Sequence, residues 1–282
     1  MLARASVISA AILGSLLSYV SATPSAGCGN SSPSFTGGTY TTNINGKQRE
    51  FIVKLPDNYD ANTPYKLIFT FHALGGTAQQ IADGGGGTLA YYGLPPLADN
   101  SAIFVSPNGI SNGWGNQGGE DIAFVDAMME ELEADLCVNT DLRFATGFSY
   151  GGAISFSLAC SRPDKMRAVA VLSTGMLSGC DGGNMPVAYY AQHGTGDSVL
   201  NIAGGRQMRD RFVSNNGCTP LASEPSPGQG GASTKTEYEG CSDGYPVTWV
   251  VFDGDHNPSQ TDPGSSTPFA PGNTWEFFSQ FE

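Results

Sequence analysis

The chain has 282 residues, 26 of them acidic and 13 basic, for a net charge of −13, and only 14% of positions are charged. That balance excludes nucleic acid and anionic membrane surfaces as partners, since both would be repelled. A sequence this long can bury a sizeable core, and the expected organisation is one α/β domain behind an N-terminal leader.

Residues 1–22 read as an export signal: Arg4 is the basic start, Val7 to Val20 is apolar, and Val20-Ser21-Ala22 offers small residues for cleavage. The remainder, 23–282, is then a single secreted domain. No later run is long and apolar enough to span a bilayer. Asn30-Ser31-Ser32 is an N-glycosylation sequon just beyond the leader. A polar stretch rich in Gly, Ser and Thr follows over 26–42.

Strands are predicted at 50–55, 66–71, 102–106, 143–148, 168–173, 187–192 and 247–252, several of them continuously apolar, as strands buried on both faces require. Helices are predicted at 121–136, 152–161, 203–215 and 274–281. From the third strand onward the two signals alternate. This predicts a mostly parallel sheet with helices on both faces.

Two stretches interrupt the alternation. Residues 82–99 hold the run Gly84 to Gly87, Tyr91-Tyr92 and Pro95-Pro96. Residues 214–246 are rich in Gly, Ser and Pro and bracketed by Cys218 and Cys241, which suggests a disulfide-tied surface excursion with a short strand near 235–238. All six cysteines lie beyond the leader, and an even count in an exported chain implies disulfides. With three histidines and no C-x-x-C spacing, no metal site is expected.

The stretch with the clearest chemistry is Gly147-Phe148-Ser149-Tyr150-Gly151, which fits G-x-S-x-G between a strand-like and a helix-like run. That layout is a nucleophile elbow, where the flanking glycines let strand and helix approach and the serine hydroxyl projects beyond the sheet edge. On such a sheet the acid and then the histidine follow the serine in sequence. His256, in the turn-rich loop after the last strand, is the histidine with room for an acid before it. Asp197, in the Gly-rich loop after 187–192, fits the acid, and an Asx turn is its bland alternative.

Two N–H donors must meet the oxyanion of acyl transfer. Tyr150, after the nucleophile, supplies one. Leu74, in the Gly-rich loop that follows 66–71, is the choice for the other. His72 and His193 read as buried scaffold. Trp114, Tyr91 and Tyr92 could lay aromatic faces along a ligand, although core packing explains them as well. The acidic positions Asp121, Asp126, Glu130, Glu131 and Glu133 read as a solvated helix side. No cofactor is needed for this chemistry.

These residues resemble a known family, the secreted fungal feruloyl esterases of carbohydrate esterase family 1, in the branch related to polyhydroxybutyrate depolymerase-like esterases. The resemblance runs over nearly all of 23–282. It rests on Thr146-Gly147-Phe148-Ser149-Tyr150-Gly151-Gly152, His193-Gly194-Thr195-Gly196-Asp197 with Val199-Leu200-Asn201, Asp253-Gly254-Asp255-His256, and Asn273-Thr274-Trp275-Glu276-Phe277-Phe278. It implies an α/β-hydrolase fold, a triad of Ser149, Asp197 and His256, and ferulate esters of plant cell-wall arabinoxylan or pectin as substrate. Two positions depart from the pattern, Phe269 ahead of Pro271 and the loop His72-Ala73-Leu74. Acetylxylan esterases and polyester depolymerases share the machinery, and a catalytically silent glycan-binding protein is the alternative of another class.

Overall fold

The computed structural model describes residues 22–282. The proposed export signal lies outside the described residues, apart from Ala22. Nine strands form one sheet: β1 Gly38–Ile44, β2 Lys47–Lys54, β3 Tyr65–Phe71, β4 Ala102–Pro107, β5 Val138–Phe148, β6 Ala168–Leu172, β7 Ala188–Gly194, β8 Thr234–Glu237 and β9 Val247–Phe252. Their order across the sheet is β1-β2-β4-β3-β5-β6-β7-β9-β8. The six strands from β4 to β9 in that order run parallel, and antiparallel strands close both ends.

Alternate side chains of each buried strand feed two separate cores. Leu67, Phe69 and Phe71 of β3 face one layer with α3 Glu120–Asp135, α4 Tyr150–Ser161 and α5 Ile202–Asn215. Ile68 of β3, Phe104 of β4 and Tyr190 of β7 face the other, which holds α1 Ala78–Asp83, α2 Pro95–Ala98 and α6 Phe269–Ser279. A two-sided parallel sheet explains why these strands read as unbroken apolar runs. The architecture is that of the α/β-hydrolases, as the sequence led us to expect.

Two elements escape the apolar pattern. Strand β1 lies at the sheet edge with most of its residues at least partly exposed, so its Gly-Thr-Tyr-Thr-Thr-Asn sequence reads as polar leader. Its signal is the turn Asn45-Gly46, with φ of 52° and 81°, the pair that a tight hairpin prefers. Helix α1 is too short for periodicity, but Thr77 and Gln80 form a capping box. Helix α6 starts at Phe269, five positions before the expected start, because Pro271 sits in its first turn, where a missing N–H costs nothing.

The acidic side of α3 is not simply solvated. Asp121 is buried and takes a 2.8 Å hydrogen bond from buried Arg49. Asp126 pairs with Arg162 and Lys165, and Glu133 with Arg143. Glu131 accepts from Thr42. The helix is therefore pinned by ion pairs to β2, β5 and the segment after α4, and by a hydrogen bond to β1, which composition alone does not reveal.

Three disulfides join Cys28 to Cys137, Cys160 to Cys180, and Cys218 to Cys241, leaving no free cysteine among the described residues. The last is the pair expected from the bracketed excursion. Asn30 of the sequon turns its amide nitrogen onto Asp135, donating to the carboxylate and to the backbone carbonyl at 3.1 Å each. A glycan there would replace one of those hydrogens.

Removing the carboxylate of the buried pair leaves a desolvated guanidinium. Asp121→Ala should therefore lower unfolding free energy by about 3–5 kcal/mol. Urea denaturation measures it, and a loss under about 1 kcal/mol would show that the pair is not the buried constraint described here.

Candidate active site

Every candidate catalytic group sits at the C-terminal edge of the parallel strands. Ser149 follows β5 directly and holds φ of 56° and ψ of −119°, a strained turn for a residue with a Cβ. The turn is over-determined on both sides. Its N–H donates to the Leu172 carbonyl at 2.9 Å, and its carbonyl accepts from Thr174 Oγ1 at 2.6 Å. The glycines at 147 and 151 are obligatory for contact: a Cβ on Gly147 would collide with the backbone of Gly151, and one on Gly151 with the carbonyls of Phe71 and His72.

The candidate acid and base follow neighbouring strands. His256 lies in the loop after β9, and its Nδ1 is 2.8 Å from Asp197 Oδ2 in the loop after β7. Its ring packs on Phe148, centroids 4.4 Å apart, beside the nucleophile. Because the other ring nitrogen, Nε2, makes no hydrogen bond among the described residues, it is free for a proton. Nδ1 must then carry the hydrogen toward the carboxylate.

The Asp197 carboxylate is fully enclosed and accepts from three donors. Oδ1 takes the N–H groups of Val199 and Leu200 at 3.0 and 2.7 Å, and Oδ2 takes His256, with His193 Nε2 lying 3.2 Å away without a hydrogen bond. The Asx turn and the acid role thus coincide in one side chain. His193, buried on β7, hydrogen-bonds the Leu200 carbonyl through Nε2 at 2.7 Å. A carbonyl can only accept, so Nε2 carries the hydrogen.

Asp255, the residue before the candidate base, has another task. Its Oδ1 accepts from the N–H and hydroxyl of Ser198 and from the His256 N–H at 2.7 to 2.8 Å. Those hydrogen bonds, Ser198's N–H foremost, hold its carboxyl below the usual range. It latches the base loop to the acid loop. Gly196 N–H to Gly254 carbonyl, at 3.0 Å, closes the same seam.

The oxyanion side is formed by the start of α4 and the loop after β3. Tyr150 opens α4, so its N–H has no intrahelical acceptor. Among the described residues neither the Ala73 nor the Leu74 N–H donates a hydrogen bond, whereas Gly75 N–H is taken by the Asn112 carbonyl at 2.8 Å. His72 shapes that loop from within. Its Nδ1 donates to the Ala73 carbonyl at 2.7 Å, and its Nε2 accepts from Gly109 N–H at 3.0 Å.

The three aromatic candidates fare differently. Trp114 is wholly buried, edge-on to Phe71, and donates Nε1 to the His72 carbonyl at 2.8 Å, so it offers no face to a ligand. Tyr91 is packed on Phe104, and burial pushes its phenol up to about 12. It borders a wide cleft between β2 and α1 that none of the triad candidates lines. Tyr92 stays at the site. Its hydroxyl donates to the Phe71 carbonyl at 2.6 Å and accepts from Phe148 N–H at 3.1 Å, and its ring borders a narrow cavity with Leu172 and Pro258. Among the described residues no cluster of His, Cys, Asp or Glu could hold a metal ion.

An elbow serine, a histidine oriented by a buried carboxylate and unpaired N–H groups on an α/β-hydrolase sheet define a carboxylic ester hydrolase. Residues 42–214 match the family model described as "Putative esterase". The chain is 58% identical to feruloyl esterase D of Neurospora crassa, covering 96% of this chain and 95% of that one, and 47% identical to feruloyl esterase C of Emericella nidulans, covering 96% and 99%. Among solved structures it resembles an acetyl xylan esterase from Aspergillus awamori, with a TM-score of 0.62 at 14% identity over 86% of this chain and 99% of that one. A carbohydrate esterase family 1 ferulic acid esterase from Anaeromyces mucronatus gives 0.58 at 17%, over 86% and 89%. The chain belongs to this esterase family, in the group that contains the fungal feruloyl esterases C and D.

Two predictions follow from the geometry. Asp197→Asn should lower kcat by about 10³–10⁴-fold through the wrong imidazole tautomer, with Asp255→Asn costing far less because it only latches loops; the reverse ranking in initial-rate assays would move the acid to Asp255. The second concerns acid. Burial holds His72 and His193 below the usual histidine value of 6.5. The unfolded chain therefore binds more protons, and their contribution to stability is complete above pH 6.5 and lost as pH falls below it. Melting temperature should drop between pH 7.5 and 5.5, and a rise across that window would contradict the neutral assignment.

Proposed function

We propose that this protein is a secreted serine esterase that releases ferulic acid from feruloylated plant cell-wall polysaccharides. The observation that carries the chemistry is the 2.8 Å pair of His256 Nδ1 and Asp197 Oδ2, set beside a serine held in a strained elbow. The acyl group is inferred from the feruloyl esterases C and D that the chain resembles along almost its whole length.

In the proposed reaction Ser149 Oγ attacks the ester carbonyl carbon while its proton passes to His256 Nε2. Asp197 stabilises the resulting imidazolium. The tetrahedral oxyanion is met by the N–H groups of Tyr150 and Leu74, donors that are already oriented and so need no reorganisation. Collapse breaks the bond to the sugar oxygen, which leaves with the proton from His256. A water then attacks the acyl-enzyme, giving its proton to His256, and Ser149 recovers that proton as ferulate departs. No cofactor takes part. Export through residues 1–22 would place the enzyme where disulfides persist and the substrate lies, and a glycan at Asn30 would sit on the face of α3's C-terminal end, away from Ser149.

Ser149→Ala should keep its melting temperature and lose methyl ferulate hydrolysis by several orders of magnitude, with Ser149→Ala/His256→Ala little worse, since triad members act as a unit. Wild-type kcat/KM should be higher for methyl ferulate than for an acetate ester of similar leaving group. Preference for acetate would favour acetylxylan as the substrate instead.

A further inference from the structure

Tyr91 and Tyr92, in the short turn Ala90–Gly93, hold left-handed backbone conformations in succession, with φ of 46° and 57°. A Cβ disfavours that region, and neighbouring residues other than glycine persist in it only where their surroundings fix them. The two rings are fixed differently. Tyr91 packs on Phe104 and borders the cleft beside α1, whereas Tyr92 is buried in the apolar layer that also holds Phe148 and Leu172. The strained turn delivers the Tyr92 hydroxyl to one place.

Strands β3 and β5 run in register up to the pair Phe71 and Gly147. At that end of the two strands the Tyr92 hydroxyl links them, accepting the Phe148 N–H at 3.1 Å and donating to the Phe71 carbonyl at 2.6 Å. Its donor and an acceptor site are both used. The residues it joins lead directly into the two halves of the proposed oxyanion site: Phe148 precedes Ser149 and Tyr150, and Phe71 precedes the loop His72-Ala73-Leu74. The Phe71 carbonyl is also where Gly151 packs, since a Cβ on that glycine would overlap it. One carbonyl is thus held by α4 and by Tyr92 at once.

We infer that Tyr92 is a positioning residue, whose hydroxyl sets the separation between the Ser149 elbow and the Leu74 loop and with it the spacing of the two N–H donors that meet the oxyanion. The inference rests on the serine-esterase reading above and not on the identity of the acyl group. A buried phenol suits the task. Burial holds it above its ordinary pKa, so it keeps its proton, and its donor role, at any pH where the enzyme is folded. Donors displaced slightly from the tetrahedral oxygen lose much of their effect, while substrate binding changes little, because that oxygen forms only on the way to the intermediate.

The test is Tyr92→Phe, with Tyr91→Phe as control, assayed on methyl ferulate and 4-nitrophenyl acetate. Tyr92→Phe should lower kcat by about tenfold to a hundredfold for both esters, with KM and inhibition by the product ferulate unchanged. Butylboronic acid, whose tetrahedral adduct on a serine places an oxygen where the oxyanion forms, should inhibit the variant more weakly by a similar factor. Melting temperature should stay close to wild type, and Tyr91→Phe should match wild type throughout. Wild-type kcat in Tyr92→Phe, undiminished affinity for the boronic acid, or a KM that rises together with ferulate's inhibition constant overturns the inference. So does a lost melting transition, since the hydroxyl would then serve the fold and not the site, and so does an equal loss in Tyr91→Phe. Failure of the serine-esterase reading itself is seen separately, in Ser149→Ala that stays active and wild-type enzyme that the boronic acid does not inhibit.

Discussion

Helix α4 meets strand β3 at Gly151, so closely that a single methyl group there would overlap the Phe71 and His72 carbonyls. The candidate nucleophile and both proposed oxyanion donors depend on this approach. It brings the N-terminus of α4 over the end of β3, which sets the Tyr150 N–H beside the loop of Ala73 and Leu74. It also forces the chain between β5 and α4 into one residue's worth of turn, and that residue is Ser149. The strain in its backbone is balanced by partners on both sides, from Leu172 and Thr174, so the hydroxyl is held by a frame of main-chain hydrogen bonds rather than by its own preferences.

The second constraint is Asp197, whose carboxylate is removed from water and given three donors in exchange. A desolvated charge is tolerable only when its lone pairs are occupied. Two of the donors are its own turn's N–H groups, so the side chain is positioned by the same atoms that solvate it. His193 on β7 packs 3.2 Å from the carboxylate and is itself fixed by the Leu200 carbonyl. The result is a carboxylate with little freedom, presenting one oxygen to His256. Asp255 does similar work on the surface, joining the two loops without entering the buried charge system.

How much of this was legible depended on whether the constraint was local. The elbow could be read because close approach demands glycine at 147 and 151, and the order of Ser149, Asp197 and His256 followed from the strand order of the sheet. The edge strand β1 was missed since an exposed strand carries no apolar period, although Asn45-Gly46 marked its hairpin. Trp114 and Tyr91 were offered as ligand walls because aromatic composition does not tell a buried ring from a displayed one; only the packing on Phe71 and Phe104 separates them. The acidic face of α3 was misread for the same reason, as Arg49 reaches Asp121 from a strand 72 residues away in sequence. Tertiary partners at such distances leave no local trace.

The disulfides fall on the side of the molecule away from this chemistry. Cys137 precedes β5, Cys160 ends α4, and Cys218 and Cys241 lie after α5 and before β9, all at the end of the sheet opposite Ser149. Cross-links that close 20 to 109 residues restrict the unfolded chain by about 3–5 kcal/mol each on an entropic account. Placed there, they stabilise the scaffold without tethering the catalytic loops. Those loops are joined instead by hydrogen bonds such as Ser198 to Asp255 and Ser259 to Gly87. The cross-links thus hold the scaffold beneath, while the position of Ser149 is set by the Gly151 contact and its main-chain partners.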